Sequence, residues 1–518
     1  MRRAIFIPLC LAFSVSAAPK DGLIIKTQQG LVEGTLISSG VRQFLGIPYA
    51  TANRWEAPRP PPFRNTTFNA TGFGDSCVQN TGPDNVQFYR LSGLAKDSII
   101  VPEAEECLSI NIWTPSISRK QKTAVMIWVY GGGLQFGTSN FVLYNGRHMV
   151  QDNEDFLLVS FNYRLNIFGL PNAPQLLDPN QSQNFGLLDI ETAVNWVHDN
   201  IAEFGGDPDR IVLFGESAGG VAVDAYSYAH SNDTIVKGII EQSGTLSNVG
   251  VSDVIDPSCW NNVAKAVGCG NATTDAQLSC MKAVPFRKLE DAVISTNTIF
   301  LPVGDNITFF TNISARSTTG NFLQVPLLVG STQHEADIFV VALEENILGF
   351  PVPVITEQLS DIMTQLQFTC PAGYTAEDRI KANVPTWRYQ YQAVFPDISS
   401  HPDLRSYHSS EIPIVFGTYE EGFSGSPTKD EITFSRYVQQ AWVAFARDPT
   451  HGLSNYGWPM YNSTTASLVQ LGNPANKTGA TFGQGQFTDL SCGAFEALAQ
   501  LNDQLLGLLT GLSKPKEA

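Results

Sequence analysis

Apolar residues along this chain fall into short continuous runs, separated by stretches that carry a helical period. Thr123–Tyr130 is β-branched and aromatic nearly throughout, the composition of a strand covered on both faces. Phe156–Asn162, Ile211–Phe214, Ile235–Ile240 and Val325–Val329 repeat that pattern. Between the second and third of these runs, Leu188–His198 places apolar side chains at three- and four-residue spacing, as one face of an amphipathic helix does. Strands alternating with helices predict a mostly parallel central sheet with right-handed crossovers. The beginning of the chain differs, because Gly22–Gly46 alternates apolar with polar and turns on glycines, the pattern of a small antiparallel sheet. Ile47–Pro62 reads as proline-rich loop. Between Cys77 and Cys107, the residues Val86, Phe88, Tyr89, Leu91 and Leu94 could form one short amphipathic helix, but the segment reads foremost as a surface loop. No fixed-period repeat or low-complexity linker divides the pattern, so residues 18–518 are expected to form one domain.

The first residues stand apart. Met1-Arg2-Arg3, an apolar run Ala4–Phe13 and small residues to Ala18 have the three regions of a secretory leader, residues 1–17, cut after Ala17. The run is well short of the about 20 apolar residues that span a bilayer. Nine Asn-x-Ser/Thr sites, at Asn65, Asn69, Asn180, Asn232, Asn271, Asn306, Asn312, Asn462 and Asn476, agree with passage through a glycosylating pathway to an extracellular destination. No apolar tail suggests a lipid anchor. A chain of 518 residues, 43% hydrophobic and 16% charged, has ample material for a large core. Its net charge of -17 becomes -19 when Arg2 and Arg3 leave with a leader that holds no acid, which disfavours nucleic-acid binding. With Cys10 removed, seven cysteines remain in an oxidising compartment, enough for three disulfides and one cysteine over.

Candidate chemistry centres on Ile211–Gly220. Four apolar residues run into Gly215-Glu216-Ser217-Ala218-Gly219, where flanking glycines would let Ser217 take a strained conformation at a strand-to-helix turn. A lone Gly-x-Ser-x-Gly arises by chance in a glycine-rich chain, so its meaning depends on a base, an acid and an oxyanion site in the matching order. Serine needs a base to become nucleophilic, and histidine titrates in the useful range. Of His148, His198, His230, His334, His401, His408 and His451, the order Ser, acid, His selects the later ones, and His408 sits just before an apolar run, Ile412–Phe416, that would dock on the core. Glu335 and its rival Asp337 follow the fifth apolar run and could orient the imidazole. Gly131-Gly132-Gly133 after Tyr130 offers bare backbone N–H groups to a developing oxyanion. No cofactor and no metal site is called for.

At these residues, and at Phe44–Ala50, Glu105–Trp113, Trp128–Gly133, Phe161–Arg164 and Trp196–Pro208, the chain resembles the type B carboxylesterases and lipases, which include the cholinesterases and fungal lipases. The resemblance implies an α/β-hydrolase fold, with a mostly parallel sheet, helices on both faces and the small N-terminal sheet. It implies Ser217, Glu335 and His408 as catalytic triad, since Glu335 stands five residues after Gly330 where the family's glutamate lies. It implies Gly132, Gly133 and Ala218 as oxyanion donors. It further implies disulfides Cys77–Cys107, Cys269–Cys280 and Cys370–Cys492, a free Cys259 and an ion pair between Arg54 and Glu105.

There are departures. The Cys77–Cys107 segment has no tryptophan where cholinesterases hold a platform for quaternary ammonium, so choline esters are not expected substrates. It is also shorter than the flap of fungal lipases, which argues against activation at an oil surface. Tyr130 stands where many esterases have histidine, as in the fungal branch. The function expected is a secreted serine ester hydrolase working through an acyl-enzyme on short to medium acyl or aryl esters. A true lipase, a peptidase and a non-catalytic neuroligin-like adhesion protein are the other readings, and the last lacks the elbow serine that this chain retains.

Overall fold

In the computed structural model of the chain, the described residues are 22–37, 40–92, 101–119, 122–153, 155–248, 256–270, 273–347, 353–423 and 425–494. The expected leader 1–17, the Asn271 sequon and Leu94 lie outside them.

The apolar runs build the middle of an eleven-stranded sheet. In chain order its strands are β1 (Thr35–Leu36), β2 (Val41–Pro48), β3 (Ser109–Pro115), β4 (Thr123–Val129), β5 (Phe156–Phe161), β6 (Gly206–Glu216), β7 (Val236–Gln242), β8 (Leu327–Thr332), β9 (Thr386–Tyr391), β10 (Ala466–Leu471) and β11 (Ala480–Gln484). They lie side by side as β11-β10-β9-β8-β7-β6-β4-β5-β3-β2-β1. Every pair from β10 to β5 is parallel, and the outer pairs at both edges are antiparallel. Helices cover both faces, which is why β4 through β8 can be apolar on both sides without exposing any of it. The helices used below are α1 (Pro83–Leu91), α2 (Phe185–Asn200), α3 (Ala218–Ala229), α4 (Asp337–Ile347), α5 (Pro353–Thr364) and α6 (Lys429–Arg447). The periodic segment Leu188–His198 lies inside α2.

The chain runs from β4 to β5 on one side, then crosses to place β6 on the other side of β4. At such a reversal the loops at the carboxyl ends of the strands diverge and leave a crevice. The triple glycine follows β4 and Ser217 follows β6, so the fold itself brings both to that crevice.

The N-terminal residues form the expected small sheet: Ile24–Thr27 pairs antiparallel with Gly30–Glu33, and Phe68–Asn69 joins in parallel. Val41–Pro48 leaves that sheet and extends the large one. Arg54 grips Glu105 through two bonds of 2.7 and 2.6 Å and caps the carbonyls of Met281 and Val284, tying this segment to the helix that holds Cys280.

The segment after Cys77 is a correction to the sequence reading. Residues Pro83–Leu91 form helix α1, not a surface loop. Pro83 occupies its first turn, where the missing N–H costs nothing and the fixed φ favours helix. What holds this short helix is packing of Phe88 and Tyr89 against Phe136, Phe141 and Phe339, at ring separations of 5.2 to 6.2 Å. Disulfides join Cys77 to Cys107, Cys269 to Cys280 and Cys370 to Cys492, and Cys259 is a free, half-buried thiol. No helix among the described residues is long and apolar enough to cross a membrane.

Candidate active site

Strand β6 carries Ile211–Phe214 through the middle of the sheet, and a single residue separates its end at Glu216 from the start of α3. That residue, Ser217, has φ 58° and ψ -127°, a conformation sterically costly for any residue with a Cβ. The strain is held by bonds on both sides: Ser217 N–H donates to the Gln242 carbonyl at 2.8 Å, and the Ser217 carbonyl accepts from Val221 N–H at 3.0 Å. A methyl group at Gly219 would collide with the Val129 carbonyl, so only glycine lets α3 lie against β4 at this crossing. Ser217 is half-buried and faces a cavity of about 560 Å³, within the usual range for small-molecule sites.

His408 lines the same cavity. Its Nδ1 lies 2.6 Å from Glu335 Oε2, and its backbone N–H donates to the Glu335 carbonyl at 3.1 Å. Glu335 is fully buried and its other oxygen accepts from Thr332 N–H at 2.6 Å, so the carboxylate cannot swing away. A carboxylate on Nδ1 fixes the tautomer that leaves Nε2 as the free base, and steadies the imidazolium once a proton arrives. Asp337 points elsewhere: it accepts from Arg405 at 2.7 and 2.9 Å and from Ser360 Oγ at 2.6 Å. The other histidines pair with acids of their own away from this cavity, His148 with Glu421, His198 with Asp199, His230 with Glu191, His334 with Asp361, His401 with Asp403 and His451 with Asp448. Among the described residues no hydrogen bond joins Ser217 Oγ to His408; such bonds are often long before substrate binds.

The structure adds residues that the sequence reading passed over. His408 Nε2 lies 3.3 Å from Glu216 Oε1, the acid inside the elbow motif. Ser409, at φ 72°, donates its hydroxyl to that same oxygen at 2.5 Å. Glu411 is buried one turn further on and accepts from Gln242 Nε2 at 3.1 Å, while Gln242 in turn accepts from Trp442 on α6 at 3.0 Å. Burial pushes the Glu216 carboxyl up, against the pull of His408. Burial, reinforced by Glu216 and Glu335, pushes Glu411 up to about 8. Burial alone would lower His408, but the negative field of Glu216, Glu335 and Glu411 outweighs it and raises the imidazole to about 9. An acid beside the serine in Gly-Glu-Ser-Ala-Gly and another three residues after His408 were the available signals. Neither is distinctive without the fold.

Gly132 and Gly133 have φ of 103° and 62°. The Gly132 carbonyl accepts from Gln135 and Phe136 N–H groups at 2.9 and 3.2 Å, a tight turn in which a methyl at Gly132 would strike the Phe136 carbonyl. Among the described residues the Gly132 and Gly133 N–H groups have no acceptor, and Ala218 N–H is the first of α3, where no intrahelical acceptor exists. Aromatic rings wall the cavity: Phe88 and Tyr89 from α1, with Phe136, Tyr144 and Phe339. Phe88 stacks on Phe339 at 5.8 Å, and Phe339 and Phe368 press on the His408 ring at 5.2 and 4.9 Å. Asn85 of α1 adds one amide to the lining.

Comparison with known proteins bears on this site. The profile of the Carboxylesterase family matches residues 21–349 and 353–488. A chlorogenic acid esterase of Aspergillus niger is 35% identical over 462 residues, covering 86% of this chain and 87% of that protein. Secreted lipase 5 of Gibberella zeae is 32% identical over 512 residues, 90% and 93% of the two chains. A para-nitrobenzyl esterase of Bacillus subtilis is 28% identical over 480 residues, 86% and 94% of the two. A family match along nearly the whole described chain, on a sheet whose crevice gathers these residues, places the protein in the carboxylesterase family of α/β-hydrolases, as a carboxylic ester hydrolase.

Proposed function

We propose that the protein is a secreted serine esterase that turns over soluble short to medium acyl or aryl esters through an acyl-enzyme. The observation that carries the reading is the strained Ser217 facing one cavity with the Glu335-held His408 and the N–H groups of Gly132, Gly133 and Ala218, which have no acceptor among the described residues. In this reading His408 Nε2 takes the Ser217 proton as Oγ attacks the ester carbonyl. The oxyanion draws on the three N–H groups, and His408 returns the proton to the departing alcohol. Water then repeats the sequence on the acyl-enzyme. Five aromatic rings around the nucleophile favour a flat, unsaturated acyl or alcohol group. That preference agrees with the name of the Aspergillus relative, a chlorogenic acid esterase. Secretion is supported by the leader-like residues 1–17, by three disulfides, and by the exposure of every described sequon asparagine. Residues 18–518 would then be one catalytic domain.

A panel of p-nitrophenyl esters of graded acyl length, beside aryl esters such as phenyl acetate and methyl cinnamate, tests the substrate class. Ser217→Ala tests the mechanism and should leave only the roughly 10³- to 10⁴-fold advantage over water that binding and oxyanion stabilisation supply. Full activity in that variant would end the serine reading. A second reading, a lipase with a movable lid, is favoured by α1, whose Phe88 ring stands 6.5 Å from His408. A sharp rise in rate as tributyrin passes its solubility limit, with triolein preferred over butyrate esters, would establish it over the first.

A further inference from the structure

A second cavity, of about 410 Å³, shares no lining residue with the catalytic one. It opens at the carboxyl ends of β8, β9 and β10, beside His334, the residue before Glu335. Five glutamines line it: Gln333, Gln365, Gln390, Gln392 and Gln470. Gln390 and Gln470 are paired in register on β9 and β10, so their side chains share one face. Their amides are held in place from behind. Asn473 Nδ2 donates to Gln392 Oε1 at 2.7 Å, Gln392 Nε2 donates to Gln390 Oε1 at 2.8 Å, and Thr481 Oγ1 donates to Gln470 Oε1 at 3.1 Å.

Among the described residues these bonds end on amide oxygens and leave the Nε2 donors of Gln390 and Gln470 unused, together with the second lone pair of each oxygen. Gln390 is only 7% exposed, so its amide has little but the cavity to serve. The charged groups nearby are engaged with one another: Asp361 accepts from Arg405 at 3.1 Å and from His334 at 3.3 Å. No cation among the described lining residues is left to hold a phosphate or carboxylate, and the lining mixes amides with apolar surface, as a ligand with both hydroxyls and a C–H face requires. At the rim Phe487 is 63% exposed, a large ring with one face uncovered.

We propose that this cavity is a non-catalytic carbohydrate site, taking a neutral saccharide whose hydroxyls exchange bonds with the amides and whose C–H face rests on Phe487. A hydroxyl both donates and accepts, as a carboxamide does, so adjacent sugar hydroxyls can satisfy fixed amides without any net charge. The flat apolar face of a pyranose matches an exposed aromatic ring. The saccharide could be a soluble or wall-bound glycan, or this chain's own N-glycan at Asn476, three residues beyond the Asn473 that anchors the amide relay. Occupation by a wall-bound glycan would hold the ester site against a carbohydrate matrix through the loop that carries Glu335.

The test is saturation-transfer NMR and calorimetry on the full-length protein with xylotetraose, cellotetraose and mannotriose, before and after native removal of N-glycans. Saturable binding of at least one probe is expected, weakened about tenfold or more by Phe487→Ala and by Gln470→Leu. Hydrolysis of p-nitrophenyl acetate should be unchanged in both variants, which also shows that they fold. Binding that emerges only after glycan removal supports the site and identifies its resident as the chain's own glycan. Binding by none of the three probes in either form, or binding untouched by both substitutions, overturns the proposal.

Discussion

Replacing Glu216 by glutamine removes one negative charge from beside the imidazole while keeping the size of the side chain and an acceptor for Ser409 Oγ. His408 Nε2 and Glu216 Oε1 are 3.3 Å apart and both side chains are buried. Two full charges at that separation interact by about 5 kcal/mol at an effective dielectric near 20, equivalent to roughly 3 to 4 pKa units. Burial raises the Glu216 carboxyl and so opposes its charge, and Glu335 and Glu411 share the pull on His408. The shift recovered by the substitution should therefore be about 1 to 2 units. The acid limb of kcat/KM follows the free-enzyme base and should lie above the ordinary histidine value, toward the value of about 9 reached by His408. In Glu216→Gln the limb should move down, so that the variant keeps a larger fraction of its maximal rate at mildly acidic pH. On the proposed mechanism the plateau should fall, because the same charge would steady an imidazolium formed during acylation. The assay is kcat/KM for p-nitrophenyl acetate between about pH 5 and 10 at constant ionic strength. A limb that stays in place or rises would refute both the electrostatic account and His408 as the titrating base.

Glu335→Gln should reduce kcat by about 10⁴-fold, since only this carboxylate touches Nδ1. Asp337→Asn should leave turnover near normal and cost about 1 to 3 kcal/mol of stability by weakening the Arg405 pair, and the reverse ranking would contradict the geometry. The Cys77–Cys107 bond closes 30 residues of chain, so Cys77→Ser with Cys107→Ser should lose roughly 3 to 4 kcal/mol, read from denaturant melts, and should loosen α1. Thermal stability should fall as pH rises from about 6 to 9. His408, raised from 6.5 to about 9, contributes stability that is complete below 6.5 and lost through 9. Glu411, raised from 4.5 to about 8, holds its proton better folded than unfolded and contributes in the same direction as pH climbs from 4.5 to 8. A melting temperature that rises over this range would show that the buried acids are ionised and otherwise paired.

Local pattern determined the core of this molecule. The runs Thr123–Tyr130, Phe156–Asn162 and Ile211–Phe214 are apolar nearly throughout, and a segment that must be covered on both faces can be little other than an inner strand of a helix-flanked sheet. The glycines around Ser217 and the Gly131–Gly133 run were legible because backbone that must adopt positive φ or touch another backbone requires the absence of a side chain. Residue resemblance, not periodicity, chose Glu335 over Asp337. The outer strands were not legible: Thr386–Tyr391 alternates bulky apolar and polar groups, and its buried Arg388 is paired by Asp489, 101 residues away, and bonded to Tyr461 and the Thr369 carbonyl. Helix α1 carries few apolar residues, and three rings from two distant parts of the chain hold it in place. The same limit applies to the site. His408 meets Glu335 across 73 residues, and Ser409 meets Glu216 across 193. Sequence periodicity reports which face a residue turns inward, and it reaches only a few turns along the chain. Which buried groups then come within 3.3 Å of one another, and so how firmly His408 holds a proton, is decided by how the strands are ordered and the loops cross.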